Sequence, residues 1–304
     1  MEKLKLNVNI AGVDFKNPLI AASGTFGFGL EYREYTDLNQ LGGISVKGLT
    51  LEPRKGNPPP RIAETPSGIL NSVGLQNPGV EYFIESVLPE LKQYNTIIIA
   101  NINGNTLDEY CHMAIKLQQV EVDMLELNLS CPNVKQGGAS FGTDANMVYA
   151  ITKAVKEHSH QPLLVKLTPN VTDITEIALA AQQGGADAIS LVNTFLGMAI
   201  DVKNRRPVLG NITGGLSGPA IKPLALRMVW QVSKVVDIPI IGMGGIMTGE
   251  DVVEFLLAGA SAVSVGTANL ASPDSMIVIL DELKSYMLNN KIFNIHELIG
   301  GLIL

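Results

Sequence analysis

Eight short runs of aliphatic and β-branched residues, most of them separated by stretches of helical periodicity, constrain this chain more than any other feature. They are LIAAS from Leu19, ISVKG from Ile44, IIIANI from Ile97, MLELNLS from Met124, LLVKLT from Leu163, AISLVNT from Ala188, PIIGMGG from Pro239 and AVSVGTA from Ala262. Runs that are apolar throughout suit a parallel sheet covered on both faces. Helical periodicity is clearest in LDEYCHMAIKLQQV, ITEIALAAQQGG and EDVVEFLLAGA. The last two end at glycine, the residue that most easily takes the left-handed turn past a helix end. Such alternation admits a closed barrel or an open doubly wound sheet. Eight units within 304 residues favour the barrel, an α/β fold of the (β/α)8 TIM type formed by one domain over residues 1–304. Polar residues collect at the C-terminal ends of the runs, as Lys47, Asn101, Asn128, Lys166 and Asn193. Barrels build their active sites on that face.

The rest of the chain is assigned around this frame. LKLNVNIAGVDFKNP reads as an N-terminal β-hairpin over the opposite end, and HELIGGLIL as a docked terminal helix. Thr50 to Gln76 and Thr194 to Ser217 read as long active-site loops, a length that usually signals function. With 22 basic against 29 acidic residues, the net charge of −7 argues against a nucleic-acid surface. No apolar run reaches the roughly 18 residues of a membrane span, and the first ten residues lack a signal-peptide core. Two cysteines allow at most one bridge and cannot hold an iron–sulfur cluster. The four histidines have no metal spacing, so no metal is implied. A cytoplasmic protein is expected.

IIGMGGIMTGEDV sets Gly242, Gly244 and Gly245 between a strand and a helix, where backbone N–H groups and the helix dipole suit an anion. SVGTANL repeats the device with Gly266 and Thr267. These are strands seven and eight, where barrels commonly bind phosphate. NITGGLSGPAIKP adds Gly214, Gly215 and Gly218 to complete the cradle. These loops alone do not separate a flavin nucleotide from a sugar phosphate. Lys47 and Lys166 point toward the flavin, because an inward lysine needs an anion and a reduced flavin carries negative charge around N1 and O2.

The densest segment is LELNLSCPNVKQGGASFG. Cys131, just past a strand end on the catalytic face, is a base, a nucleophile or a buried filler. No histidine lies nearby in sequence to make a nucleophile pair, and the following glycines suit a closing loop. Cys111 sits within a helical stretch and reads as structural. Asn71, Asn101, Asn128 and Asn193, with Thr194, offer amide donors and acceptors that match a planar ring of alternating N–H and C=O groups.

At these residues the chain resembles the class 1 dihydroorotate dehydrogenases along nearly its whole length. The resemblance is carried by NPLIAASGTFGFG, SVKGLTLEPRKGNPPPR, NSVGLQNPG, ELNLSCPNVKQGGASFGTD, LVKLTPN, VNT, NITGGLSGPAIKP, IIGMGGI and GASAVSVGTA. NLSCPNVKQGG and ITGGLSGPAIKP are particularly similar to the class 1B branch. Class 2 enzymes, by contrast, carry a serine in place of the cysteine and associate with membranes. The resemblance implies oxidation of (S)-dihydroorotate to orotate in pyrimidine biosynthesis. Cys131 would take the C5 proton while hydride passes from C6 to FMN N5. A thiol titrating near ~8.5 needs only a modest downward shift for that task. It implies FMN contacts at Ser23, Lys47, Gly48, Asn101, Asn128, Lys166, Val192, Gly218, Gly244, Gly245, Gly266 and Thr267. Orotate contacts are implied at Lys47, Asn71, Ser72, Val73, Gly74, Leu75, Asn128, Asn193 and Thr194. A homodimer core, with two electron-transfer subunits carrying FAD and a 2Fe–2S cluster and giving a heterotetramer, is also implied, as is NAD⁺ as final acceptor. The alternative is a related FMN barrel acting on another dihydropyrimidine.

Overall fold

The computed structural model describes residues 4–129 and 141–304. All eight expected runs form strands: β1 (Leu19–Ala21), β2 (Gly43–Ser45), β3 (Ile97–Ile102), β4 (Met124–Asn128), β5 (Leu163–Lys166), β6 (Ala188–Leu191), β7 (Ile240–Met243) and β8 (Ala262–Val265). They pair in parallel in sequence order, and Val263 opposite Leu19 joins the last strand to the first in a closed barrel. Nearly every strand residue is buried, because helices cover the outside and side chains fill the inside. Helices Leu107–Leu117, Ala145–Glu157, Ile174–Gln183 and Gly249–Leu257 start at Thr106, Asp144, Asp173 and Thr248, each accepting an N–H of the first turn. Gly185 (φ 95°) and Gly259 (φ 111°) end two of them in the expected left-handed turn. The link from β1 to β2 departs from the pattern, holding only the 3-10 turns Leu30–Tyr32 and Leu38–Gln40.

The N-terminal hairpin pairs Val8–Ile10 with Val13–Phe15 around Ala11 and Gly12, both at positive φ. Phe15 packs where a Cβ on Gly43 would lie, 2.9 Å from its ring. Gly43 begins β2, so the hairpin closes the barrel at the end away from the catalytic face. The C-terminal expectation is corrected. Ile295–Glu297 makes one 3-10 turn, Gly300 turns the chain at φ 70°, and Leu302, Ile303 and Leu304 are exposed.

The two long active-site segments carry strands of their own. Ile62–Thr65, Gly68–Asn71, Thr213–Ser217 and Phe195–Met198 pair antiparallel into one four-stranded sheet. The first two strands come from the excursion after β2 and the others from that after β6, with Asn71 opposite Gly215. This lid lies over the C-terminal mouth of the barrel, since Ile62, Ile69, Asn71 and Ser217 face the same cavity as the strand ends.

Candidate functional site

All eight strands deliver residues to one cavity beneath the lid. Lys47, Gly48, Asn101, Asn128 and Lys166 come from β2 to β5 or the residues just past them, and form one side. Ser23 follows β1; Val192, Asn193 and Thr194 follow β6; Gly244 and Gly245 follow β7; Gly266 and Thr267 follow β8. The lid adds Asn71, Val73, Gly74 and Leu75. Residues scattered over nearly 250 positions of the sequence therefore share one wall, as the strand-end pattern requires.

Some expected residues are not on that wall. Ser72 is fully buried; its N–H donates to the Arg61 carbonyl and its own carbonyl accepts from Asn57. Gly218 (φ 100°) stands behind Gly245, whose Cβ would lie 2.9 Å from the Gly218 oxygen. Gly242 faces outward, where a Cβ would meet the Phe255 ring at 2.6 Å, so it serves helix packing. Gly214 and Gly215 are lid positions: a Cβ would meet Leu209 at 2.5 Å at the first and Thr194 Oγ1 at 2.0 Å at the second. The glycines of the third cradle segment thus seat the lid, and Ser217 is its cavity-facing member. Cys131 lies outside the described residues.

The cavity has the donors an anionic ligand needs. Among the described residues, the backbone N–H groups of Gly245, Gly266 and Thr267 donate to no backbone carbonyl and no side chain. On the Cβ side of Gly266, Ala22 and Thr25 stand at ordinary van der Waals distance, 3.7 Å and beyond. The helix expected behind Gly244 and Gly245 does not follow them directly. That helix starts at Gly249, and Thr248 and Asp251 cap it in a box of their own. The glycine turn is held from behind instead: Asp251 accepts the N–H groups of Met247 at 2.7 Å and Thr248 at 2.9 Å, and Lys222 at 2.6 Å.

Lys166 is 5% exposed and, among the described residues, its side chain has no hydrogen bond or ion pair. A buried ammonium is costly without an anion. Phosphate-ready N–H groups on one side of a cavity and a buried cation on the other fit a molecule bearing a phosphate and a second centre of negative charge, which FMN does once reduced.

Several residues at the site escaped sequence reasoning. Glu126, Ser45, Ser190 and Asn103 form a buried polar group directly behind Asn101. Asn170 accepts from the Leu196 N–H at 2.9 Å and donates to the Thr194 carbonyl at 3.0 Å, fixing where the lid leaves β6. The position of Glu126 in a strand two residues before Asn128 is a signal that was there to use. Asn170, in a loop, offers none. Cys111 is buried in its helix, and burial, with the Asp108 and Glu157 charges, pushes its thiol pKa up. That makes it a poor nucleophile. Among the described residues no group of three or more His, Cys, Asp or Glu side chains is placed to hold a metal, and no helix is long and apolar enough to cross a membrane.

A parallel eight-stranded barrel with a polar, anion-ready cavity at the C-terminal mouth defines the class: a barrel enzyme whose strand ends carry the site. The model of the dihydroorotate dehydrogenase family matches residues 5–287. This chain belongs to the dihydroorotate dehydrogenase family. It is 62% identical over 302 residues to the "Dihydroorotate dehydrogenase B (NAD(+)), catalytic subunit" of Alkaliphilus metalliredigens, covering 99% of this chain and 100% of that one. The protein of the same name from Desulforamulus reducens is 57% identical over 98% of this chain and 99% of its own. The dihydroorotate dehydrogenase of Eimeria tenella, solved in complex with ferulenol, superposes with a TM-score of 0.82 at 26% identity, covering 97% of this chain and 88% of that one.

Proposed function

We propose that this chain, acting as one unit over residues 1–304, is the catalytic subunit of an NAD⁺-linked dihydroorotate dehydrogenase with FMN in its cavity. It oxidises (S)-dihydroorotate to orotate in pyrimidine biosynthesis. Family membership supports the reaction, and the names of the relatives support the NAD⁺ link. The observation that carries the cofactor is Lys166, a buried cation facing a cavity whose far side offers free N–H groups.

FMN, when bound, supplies the hydride acceptor, N5, for the hydrogen on substrate C6. The chain's own residues do the rest. Gly244, Gly245, Gly266 and Thr267 hold the phosphate, with Gly218 buttressing the turn. Ser23, Gly48, Asn101, Asn128 and Val192 line the ring, and Lys47 and Lys166 offset the negative charge that reduction brings. Asn71, the backbone from Val73 to Leu75, Asn128, Asn193 and Thr194 hold orotate flat, with Lys47 on its carboxylate side and Ser72 bracing the segment from behind. Cys131 takes the C5 proton. Its support is its place in the sequence: it follows Asn128, a residue of the cavity wall, by three positions.

NAD⁺ is reached through a partner subunit bearing FAD and a 2Fe–2S cluster. The two cysteines of this sequence are too few to ligate a cluster themselves. The assembly is a homodimer core with two such partners, in the cytoplasm. Anaerobic titration tests the reading: dihydroorotate bleaches the bound flavin and dihydrouracil does not. Bleaching by dihydrouracil alone moves the substrate to another dihydropyrimidine. Protein that takes up no FMN ends the assignment. Cys131→Ser slows reduction by about 10²–10⁴-fold with FMN retained, and an undiminished rate removes the base role.

A further inference from the structure

Inside the barrel, one step below the cavity, lies a carboxylate that neither touches the cavity nor reaches the surface. Glu126 is 2% exposed and sits in β4 two residues before Asn128, on the same face of the strand. A buried carboxylate persists only where donors converge on it. Ser45 Oγ donates to Oε2 at 2.6 Å, Asn101 Nδ2 to the same oxygen at 2.5 Å, and Ser190 Oγ to Oε1 at 2.9 Å. These donors come from β2, β3 and β6, and each is buried.

This arrangement dictates how Asn101 is turned. A carboxylate accepts, so Asn101 presents its nitrogen to Glu126 and its oxygen away from it. That oxygen accepts from Asn103 Nδ2 at 2.9 Å. The grip on the amide is set by Glu126: Asn103 carries a donor and an acceptor, its own Oδ1 having no partner, whereas the carboxylate can only accept, so turning the Asn101 amide over would set its oxygen against Glu126. Gly48 makes the grip possible, because a Cβ there would lie 2.6 Å from Asn103 Nδ2 and 3.0 Å from Asn101 Oδ1. Of these residues Asn101 and Gly48 face the cavity, while Glu126, Ser45, Asn103 and Ser190 do not.

We propose that Glu126 is a positioning residue for the flavin pocket, acting through Asn101 to hold its amide in the single orientation that meets the ring. The inference rests on the reading that the cavity binds FMN. Glu126→Gln keeps the volume but offers either an oxygen or an NH₂ to Asn101, so the orientation is no longer imposed. FMN binding to the apoprotein, followed by quenching of flavin fluorescence, is expected to weaken by about 10-fold, the lower end for a hydrogen bond to a charged group. In the Asn101→Ala background, Glu126→Gln adds no further weakening, because the residue it acts through is gone. The visible spectrum of the bound flavin shifts alike in both single variants.

Ser45→Ala with Ser190→Ala removes two legs of the network and spares the Glu126–Asn101 bond. It lowers the melting temperature and leaves FMN affinity in place. Glu126→Asp serves where Glu126→Gln does not fold: it keeps the charge, no longer spans to Asn101, and shows the same loss of affinity. Undiminished FMN affinity in the Glu126 variants, or an equal loss in the serine variant, makes Glu126 a strut and overturns the inference. Wild-type protein that takes up no FMN sinks the functional reading first, and this inference with it.

Discussion

Lys166 occupies the last position of β5, 5% exposed, its side chain with no partner among the described residues. Its charge works against the empty barrel and for the loaded one, so a neutral side chain separates the two effects. Lys166→Met is expected to raise the melting temperature of the apoprotein by at least about 2–4 °C, the shift of about 1 kcal/mol in a domain of this size. The same change weakens FMN binding by about 10–100-fold, the worth of a lost hydrogen bond to a charged group. Calorimetry and flavin titration on one preparation check both signs, and an apoprotein destabilised by the change contradicts the account. Lys166 was legible in the sequence because a lysine ending an apolar strand has few explanations. Glu126 was legible in type but not in partners: Ser45, Asn101 and Ser190 lie 81, 25 and 64 residues from it, and only barrel closure brings them together.

At the scale of elements, the eight strands were readable because a parallel, doubly covered sheet needs continuous apolar runs. The lid was not. Its strands carry glycine and polar residues, and Asn71 pairs with Gly215 across 144 residues of sequence, so no local period marks them. Its glycines have a physical purpose that is testable. A Cβ on Gly215 would lie 2.6 Å from Thr194 Cβ as well as 2.0 Å from Oγ1, so rotation of the threonine gives no relief. Gly215→Ala is therefore expected to push Thr194 and raise KM for dihydroorotate by about 10-fold, as the loss of one polar contact does. FMN content should not change. Unaltered KM would place Thr194 outside substrate binding. A second element, the turn behind Gly245, depends on Asp251. Burial raises the pKa of this carboxyl, but Lys222 and the Met247 and Thr248 N–H groups outweigh it, and the group is held below the usual carboxylate range. A depressed folded value stabilises above the unfolded pKa of about 3.9 and is lost as pH falls through the folded one. Asp251→Asn should thus cost roughly 1–2 kcal/mol near neutrality. The gap from wild type should close as the pH falls below the usual carboxylate range. A gap independent of pH would mean that the side chain acts by shape alone. Lys222, raised by Asp251 and Glu254 against its own burial, adds stability on the acid side of its titration and loses it only in strong alkali.

The cavity draws on both ends of the chain at once. Ser23, Lys47 and Asn101 come from the first third, and Gly245, Gly266 and Thr267 from the last, with the seam between β8 and β1 separating Ser23 from Gly266. A ligand held by both sets stabilises the closed barrel as a whole, since it binds neither half with full strength when the seam is open. FMN at about 100 times its Kd is expected to add about 2.7 kcal/mol and move a single cooperative transition upward by several degrees. Riboflavin, which keeps the ring and lacks the phosphate, would on the proposed reading meet Lys47 and Lys166 but leave the N–H groups of Gly245, Gly266 and Thr267 without an anion. At the same concentration its shift should be much smaller. Differential scanning calorimetry of the apoprotein with each compound decides the point. Equal shifts would mean that the glycine turns serve only the chain's own geometry. Two resolved transitions, one of them unmoved by FMN, would mean that the halves of the barrel melt apart and that the site does not couple them.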